Sequence, residues 1–332
     1  MKSGEISASA RGRVMNALLQ VKPGEVLPAR KAGRELLRFE VNGQTGQAQS
    51  WASGLYPENG VCVFRQAQAE LLAEGFEPAL ALFSVQMPDN LPESWLTGCA
   101  DRVGKAARQE GVRMGAGPML FLPGLTDPVV IITMTGCRPG EEDGGKDPGH
   151  AGAGQDIIMT GFAGLWGSAG LTFRYYAALL EHFNPDFLAD LHRPGPDAFR
   201  PDLAVRTLRN AGAESIFAAG QGGIYTALWD FGVRDGLGLT VDLAKIPVRQ
   251  DCVEVCDHLG VNIYQLMSQG CVLAAADHSS LLLHFLQEAG IPAAVIGNFT
   301  GGNDRVILTD GEQKFLEPFR GDSFADAAAG VP

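Results

Sequence analysis

No run of about 18 uncharged apolar residues, the length a membrane-spanning helix needs, occurs anywhere in the chain, so no membrane association is expected. The opening stretch MKSGEISASARGRVMNALL lacks the apolar centre of a secretion signal and is interrupted by arginines, which points to a cytoplasmic protein. Positive charge is scarce: 26 Lys and Arg stand against 38 Asp and Glu, a net charge of −12. A broad surface for nucleic-acid phosphates is thereby disfavoured. The six cysteines, at 62, 99, 137, 252, 256 and 271, form no CxxC pair and no disulfide framework. Cys252 and Cys256 lie four apart on one face of an expected helix with His258 close by; a metal site is one reading, and buried reduced thiols are the expected one. No internal repeat is visible.

What the sequence does have is 45% apolar residues and 43 glycines against 19 prolines, the glycines placed singly at element ends. This is the composition of a turn-rich α/β (α+β) protein large enough for two domains. Periodicity predicts helices over 5–20, 66–74, 92–110, 203–210, 225–231, 250–259 and 279–289, and a long helix reaching Leu180. Strands are expected over 35–41, 60–64, 79–85, 119–122, 129–135, 156–161, 239–243, 271–276, 293–297 and 305–308. The glycine-, proline- and charge-rich segment 137–155 reads as a mobile surface loop or lid, with His150 solvated in it. HRPGPDAFRP (192–201) reads as a joint between helices.

The run GGIYTALWDFGVRDGLGLTVDLAKIPVRQDCVEVCDHLGVNIYQLMSQGCVLAAA (222–276), together with AGIPAAVIGNFT (289–300), closely resembles the C-terminal domain of the AIR-synthase (PurM-like) superfamily. The likeness is strongest to the AIR synthase-related, HypE-like branch, to which the hydrogenase maturation factor belongs. EGFEPALALFSVQMP (74–88), GLTDPVVIITMTG (124–136) and QDIIMTGFAGLWGSAG (155–170) resemble the N-terminal half and the junction more loosely. The resemblance implies a PurM-like two-domain fold, with an AIR synthase-like N-terminal domain over 1–153 and a C-terminal one over 154–330. In that fold the N-terminal mixed sheet with helices forms a dimer, and the C-terminal α+β domain carries helices on one face of its sheet. It further implies ATP-dependent phosphoryl transfer onto a small-molecule or protein-borne group, with Mg²⁺ held by N-terminal carboxylates.

Carried over position by position, those acids are largely replaced. The family's Asn-Asp-Leu falls on Ala69-Glu70-Leu71, its Gly-Gly-Asp or Gly-Gly-His turn on Gly115-Ala116-Gly117, and the Glu and Thr of Leu-Glu-Gly-Thr on Trp166 and Ser168. In Asp-x-Thr-Glu-Gly-Gly the acids become Ala218 and Gln221, and only Gly222 and Gly223 persist. The paired aspartates expected near 30–40 are missing, and so is the C-terminal cysteine that HypE carbamoylates. At about 4 Å and an effective dielectric near 20, each carboxylate beside Mg²⁺ contributes on the order of 4 kcal/mol. Losing several together removes the means of placing that ion. Glu70, Gly115, Gly117, Trp166, Ser168, Gln221, Gly222 and Gly223 remain the candidate cofactor-binding positions, with no catalytic residue and no metal ligand assigned.

Each candidate has a plainer alternative. Gly222-Gly223 either cradles an anion or only turns the chain into a helix, and Gln221 holds a neutral ligand or caps the turn. Trp166 stacks on a ligand or plugs an emptied pocket, and Glu70 is a ligand or a surface residue. Two function classes follow: an ATP-dependent transferase or ligase of the HypE kind, and a non-catalytic dimeric binding or scaffold protein with a degenerate nucleotide site. A homodimer is expected also because the apolar strands VVIITMT and ALALFSV need cover on both faces. A small-molecule ligand is the other partner class; nucleic acid and membrane are not expected.

Overall fold

The computed structural model describes residues 27–28, 37–40, 44–138, 148–194, 198–213, 215–318, 321–324 and 327. The helix expected over 5–20, the middle of the 137–155 segment and part of the 192–201 joint lie outside the described residues. The chain divides into two units, one containing Arg34–Asp147 and the other Pro148–Pro332.

The first unit is built on a six-stranded sheet: β1 (Leu27–Pro28), β2 (Leu37–Glu40), β3 (Gln44–Ser53), β4 (Glu77–Met87), β5 (Arg113–Phe121) and β6 (Val129–Cys137), in the order β1-β2-β3-β6-β4-β5. β4 and β5 pair in parallel, which requires a crossover, and helix α2 (Glu93–Gln109) supplies it. Helix α1 (Asn59–Ala73) packs on β3 and β6. The expected strand at 60–64 is instead the first part of α1. Val61, Val63 and Phe64 imitate a strand because α1 is buried almost all round, which erases its helical period. α1 can approach α2 closely only because residue 60 is glycine: a Cβ there would lie 2.6 Å from Cys99 Sγ and 2.8 Å from Val103 Cγ2.

β3 escapes sequence detection because it is made of glutamine, serine and small residues. Its Ala48, Ser50 and Ala52 face the buried side, where their small size lets α1 lie flat. Along β4, Ala81, Phe83, Val85 and Met87 are buried, while Leu80 and Leu82 on the reverse face are exposed.

The second unit carries β7 (Asp156–Thr160), β8 (Ile216–Ala218), β9 (Gly238–Asp242), β10 (Val272–Ala276), β11 (Ala293–Thr300), β12 (Arg305–Thr309) and β13 (Glu312–Phe315). They run in the order β13-β12-β9-β11-β7-β10-β8, antiparallel except for β9 with β12. Its helices are α3 (Leu165–Arg174), α4 (Tyr176–Leu179), α5 (Pro185–His192), α6 (Pro201–Asn210), α7 (Gly223–Asp235), α8 (Gln250–His258) and α9 (Ser279–Glu288). The single helix expected up to Leu180 divides at Tyr175 into α3 and α4. α5 begins at Pro185 with the Asn184 side chain accepting from the Asp186 amide at 2.8 Å, a cap-plus-proline start.

One core gathers Ile157, Met159, Phe217, Leu273 and Phe299 with Leu228 and Phe231 of α7. The alternate residues Ile158, Ile216, Val272 and Ala274 are buried as well, so the centre of the sheet is covered on both faces.

The part of the expected lid that is described proves to be pinned. The carboxylate of Asp235, the last residue of α7, accepts from His150 Nδ1 at 3.0 Å, the Ala151 amide at 2.9 Å, Ser215 Oγ at 2.7 Å and Arg234 Nε at 2.8 Å. Gln155 binds the Gly152 amide and Asp277, and residues 154 and 155 pair with Phe299. His150 is therefore tethered to Asp235, while its side chain stays exposed to solvent as the sequence suggests. Burial alone would raise the Asp235 carboxyl, but Arg234, Ser215 and the Ala151 amide bring it down to about 2.

A carboxyl depressed on folding stabilises the fold above its unfolded value of about 3.9, and that stabilisation disappears as pH falls through about 2. Urea unfolding of Asp235→Asn at neutral pH is expected to show a loss of about 2–4 kcal/mol, because a buried charge-assisted bond from Arg234 to the carboxylate is removed. The deficit of the variant should shrink between about pH 4 and pH 2.

Candidate functional site

The candidate residues fall into two groups that are built differently. In the first unit, Glu70 lies on α1 and its Oε1 accepts from Gln66 Nε2 at 2.9 Å. Gly115 and Gly117 stand within strand β5, not in a turn. A Cβ at residue 115 would lie 2.7 Å from Leu82 Cδ2, and one at residue 117 would lie 2.1 Å from Ser84 Oγ. Those neighbours belong to the sheet face turned away from α1, so the sheet separates Glu70 from the two glycines.

In the second unit, the segment 263–271 passes between the first turns of α3 and α7 and joins them. The Gly164 amide donates to Ser268 Oγ at 2.9 Å, the Gly167 amide to the Met267 carbonyl at 3.2 Å, and the Ser268 amide to the Gly220 carbonyl at 3.0 Å. Both helices start from a glycine in the left-handed region, Gly164 at φ 68° and Gly222 at φ 74°. Gly223, at φ 72°, is demanded by contact too: a Cβ there would sit 2.4 Å from the Tyr264 carbonyl oxygen.

One of the amides at the α7 start, that of Gly222, is engaged by the chain itself. Gly222 donates to Asp322 Oδ2 at 2.7 Å, while Asp322 Oδ1 accepts from the Met267 amide at 3.3 Å and the Phe324 amide at 2.9 Å. A buried carboxylate of this chain thus lies at the start of α7, the end of a helix that favours negative charge. Sequence reasoning missed Asp322, and no local pattern around it signals the role.

The remaining candidates point inward or sit beside this contact. Trp166 is buried with its ring 5.6 Å from that of Phe199. Ser168 is fully buried, its Oγ 3.3 Å from Cys256 Sγ. Burial pushes the Cys256 thiol up to about 11 and raises Cys252 further, so both remain protonated at neutral pH. These are the buried thiols that the sequence predicts; Cys137, at the end of β6, is the exposed exception. Gln221 lies next to Gly222 with a buried Nε2 that has no hydrogen-bond partner. Among the described residues no group of three or more His, Cys, Asp or Glu side chains is arranged to hold a metal.

No family model matches the chain. It is 25% identical over 225 residues to thiamine-monophosphate kinase of Corynebacterium glutamicum, covering 65% of this chain and 62% of that protein. It is 27% identical over 211 residues to carbamoyl dehydratase HypE of Cupriavidus necator, covering 63% of this chain and 58% of that one. The matches therefore span about three fifths of the length of either relative. The crystal structure of hydrogenase maturation protein HypE in complex with ATP superposes with a TM-score of 0.69, at 19% identity, over 98% of each chain. The fold is PurM-like, of the HypE kind. The resemblance carried by 222–276 and 289–300 is borne out.

On this PurM-like shell, Asp322 yields a direct test. Asp322→Ala leaves the Gly222 and Met267 amides without their acceptor and is expected to lower stability by about 1–3 kcal/mol. Phosphate or formate added at tens of millimolar should raise the Tm of this variant more than that of the parent chain.

Proposed function

We propose that this chain keeps a PurM-like two-domain shell, read as 1–153 and 154–330, and serves as a dimeric binding or scaffold protein without phosphoryl-transfer activity. The observation that supports this reading is the bond from the Gly222 amide to Asp322, a negative charge beside the glycine pair to which the resemblance would assign a phosphate. The donor set supports it. Of the eight candidate positions only Glu70 is acidic, and a lone carboxylate already bonded to Gln66 does not fit Mg²⁺, which takes several hard oxygen ligands around a polyphosphate. Gln221, with its buried unpartnered Nε2, is the residue that would hold a small neutral ligand.

The dimer rests on the open face of the first sheet, where Leu80 and Leu82 are exposed and Trp51, Val129 and Ile131 are half-buried. No helix among the described residues is long and apolar enough to cross a membrane, and we read the protein as cytoplasmic.

A second reading, an ATP-dependent transferase of the HypE kind, is favoured by the superposition on the ATP complex of HypE. Calorimetric titration separates the two: no heat is expected up to millimolar Mg-ATP, whereas micromolar affinity accompanied by ADP release would establish the enzyme. Sedimentation should give about twice 35.2 kDa for the parent chain and 35.2 kDa for Leu82→Glu, which puts a charge on the apolar face. A parent chain that sediments as a monomer would remove the dimer.

A further inference from the structure

We propose that His182 and His258 form a two-imidazole site for a divalent transition-metal ion of the copper, nickel and zinc group. The two rings come from places 76 residues apart, the turn after α4 and the last position of α8, and their centroids lie 4.3 Å apart with the planes tilted by 47°. Both side chains are exposed, so an ion reaches them from solvent.

Their backbones are set before any ion arrives. The His182 amide donates to the Leu179 carbonyl at 3.1 Å, and the Asn184 cap that starts α5 follows two residues later. α8 closes directly after His258, where the Leu259 amide donates to Val255 at 3.0 Å and Gly260, at φ 65°, donates to Asp257 at 3.2 Å. Phe183 meets the His258 ring edge-on at 5.5 Å and stacks on Phe187 at 5.6 Å, an apolar floor that limits the tilt of the imidazole.

Neutral imidazole nitrogens suit borderline divalent ions, with metal–nitrogen distances of about 2.0–2.1 Å. Two imidazoles bound to one ion at a nitrogen–metal–nitrogen angle of about 90–110° have ring centroids about 4.4–5.2 Å apart. The observed 4.3 Å is within a small side-chain rotation of that range.

The thiols near His258 in sequence cannot join, because Cys252 and Cys256 are buried on the inner side of α8. Among the described residues no third His, Cys, Asp or Glu completes the set, so water fills the other positions. The site is therefore an open, exchangeable one and not a closed structural centre, and Cu²⁺ should bind it most tightly.

The test uses the full chain carrying Cys137→Ser, which removes the exposed thiol as a competing ligand and lies far in sequence from both histidines. Titration with Cu²⁺ is followed by electron paramagnetic resonance. One ion should bind with superhyperfine structure from two imidazole nitrogens. His182→Ala and His258→Ala should each weaken binding about tenfold or more and leave at most one of those nitrogens, while His284→Ala, at another exposed histidine, on α9, should change neither. Binding and spectrum that persist in both alanine variants, or that change in only one, would overturn the site. Circular dichroism shows whether the variants are folded, and the exposure of both side chains makes misfolding a small risk.

Discussion

Three amides from three separate segments converge on one carboxylate, Asp322, and the loop side of the C-terminal unit is organised around that contact. Gly222 opens α7, Met267 belongs to the segment wedged between α3 and α7, and Phe324 lies beyond the last strand. Each would otherwise be a buried donor without a partner, and charge-assisted bonds to an ionised acid are about twice as strong as neutral ones. The glycines of the region answer the same constraint: the wedged segment comes so near the first turn of α7 that residue 223 has no space for a Cβ. Ser268 does for the α3 start, as a neutral acceptor, what Asp322 does for α7.

A helix start with its positive end facing an anion is a binding device only while it is open. At α7 the Gly222 amide meets a carboxylate of the chain itself. In the same unit a tryptophan and a serine turn into the core. Trp166 against Phe199 and Ser168 against Cys256 are packing contacts of that kind.

Much of the C-terminal unit is legible from residue order. KIPVR, AGIPAAVIGNFT and the GGIYTALW start identify its fold family, and the strands near 156, 239, 272, 293 and 305 lie close to their expected places. Two of the misreadings come from side chains that hide the helical or strand period. α1 looks like a strand because it is buried almost all round, and β3 looks like nothing because small residues form its buried face and glutamines stand on the other. His150 is solvated as expected, and its bond to Asp235, 85 residues away, is what residue order does not show. α5 is a different kind of miss, since Asn184-Pro185-Asp186 carries a local start signal that was there to be read.

From the sequence alone come the charge balance, the glycine-punctuated α/β character and the PurM-like resemblance. These depend on residue type and near-neighbour spacing, which a linear chain displays in full. Tertiary structure alone decided that Asp322 closes α7, that the sheet parts Glu70 from Gly115 and Gly117, and that His182 meets His258. Each depends on which distant segments share a few ångströms of space, and packing sets that only once the chain is folded.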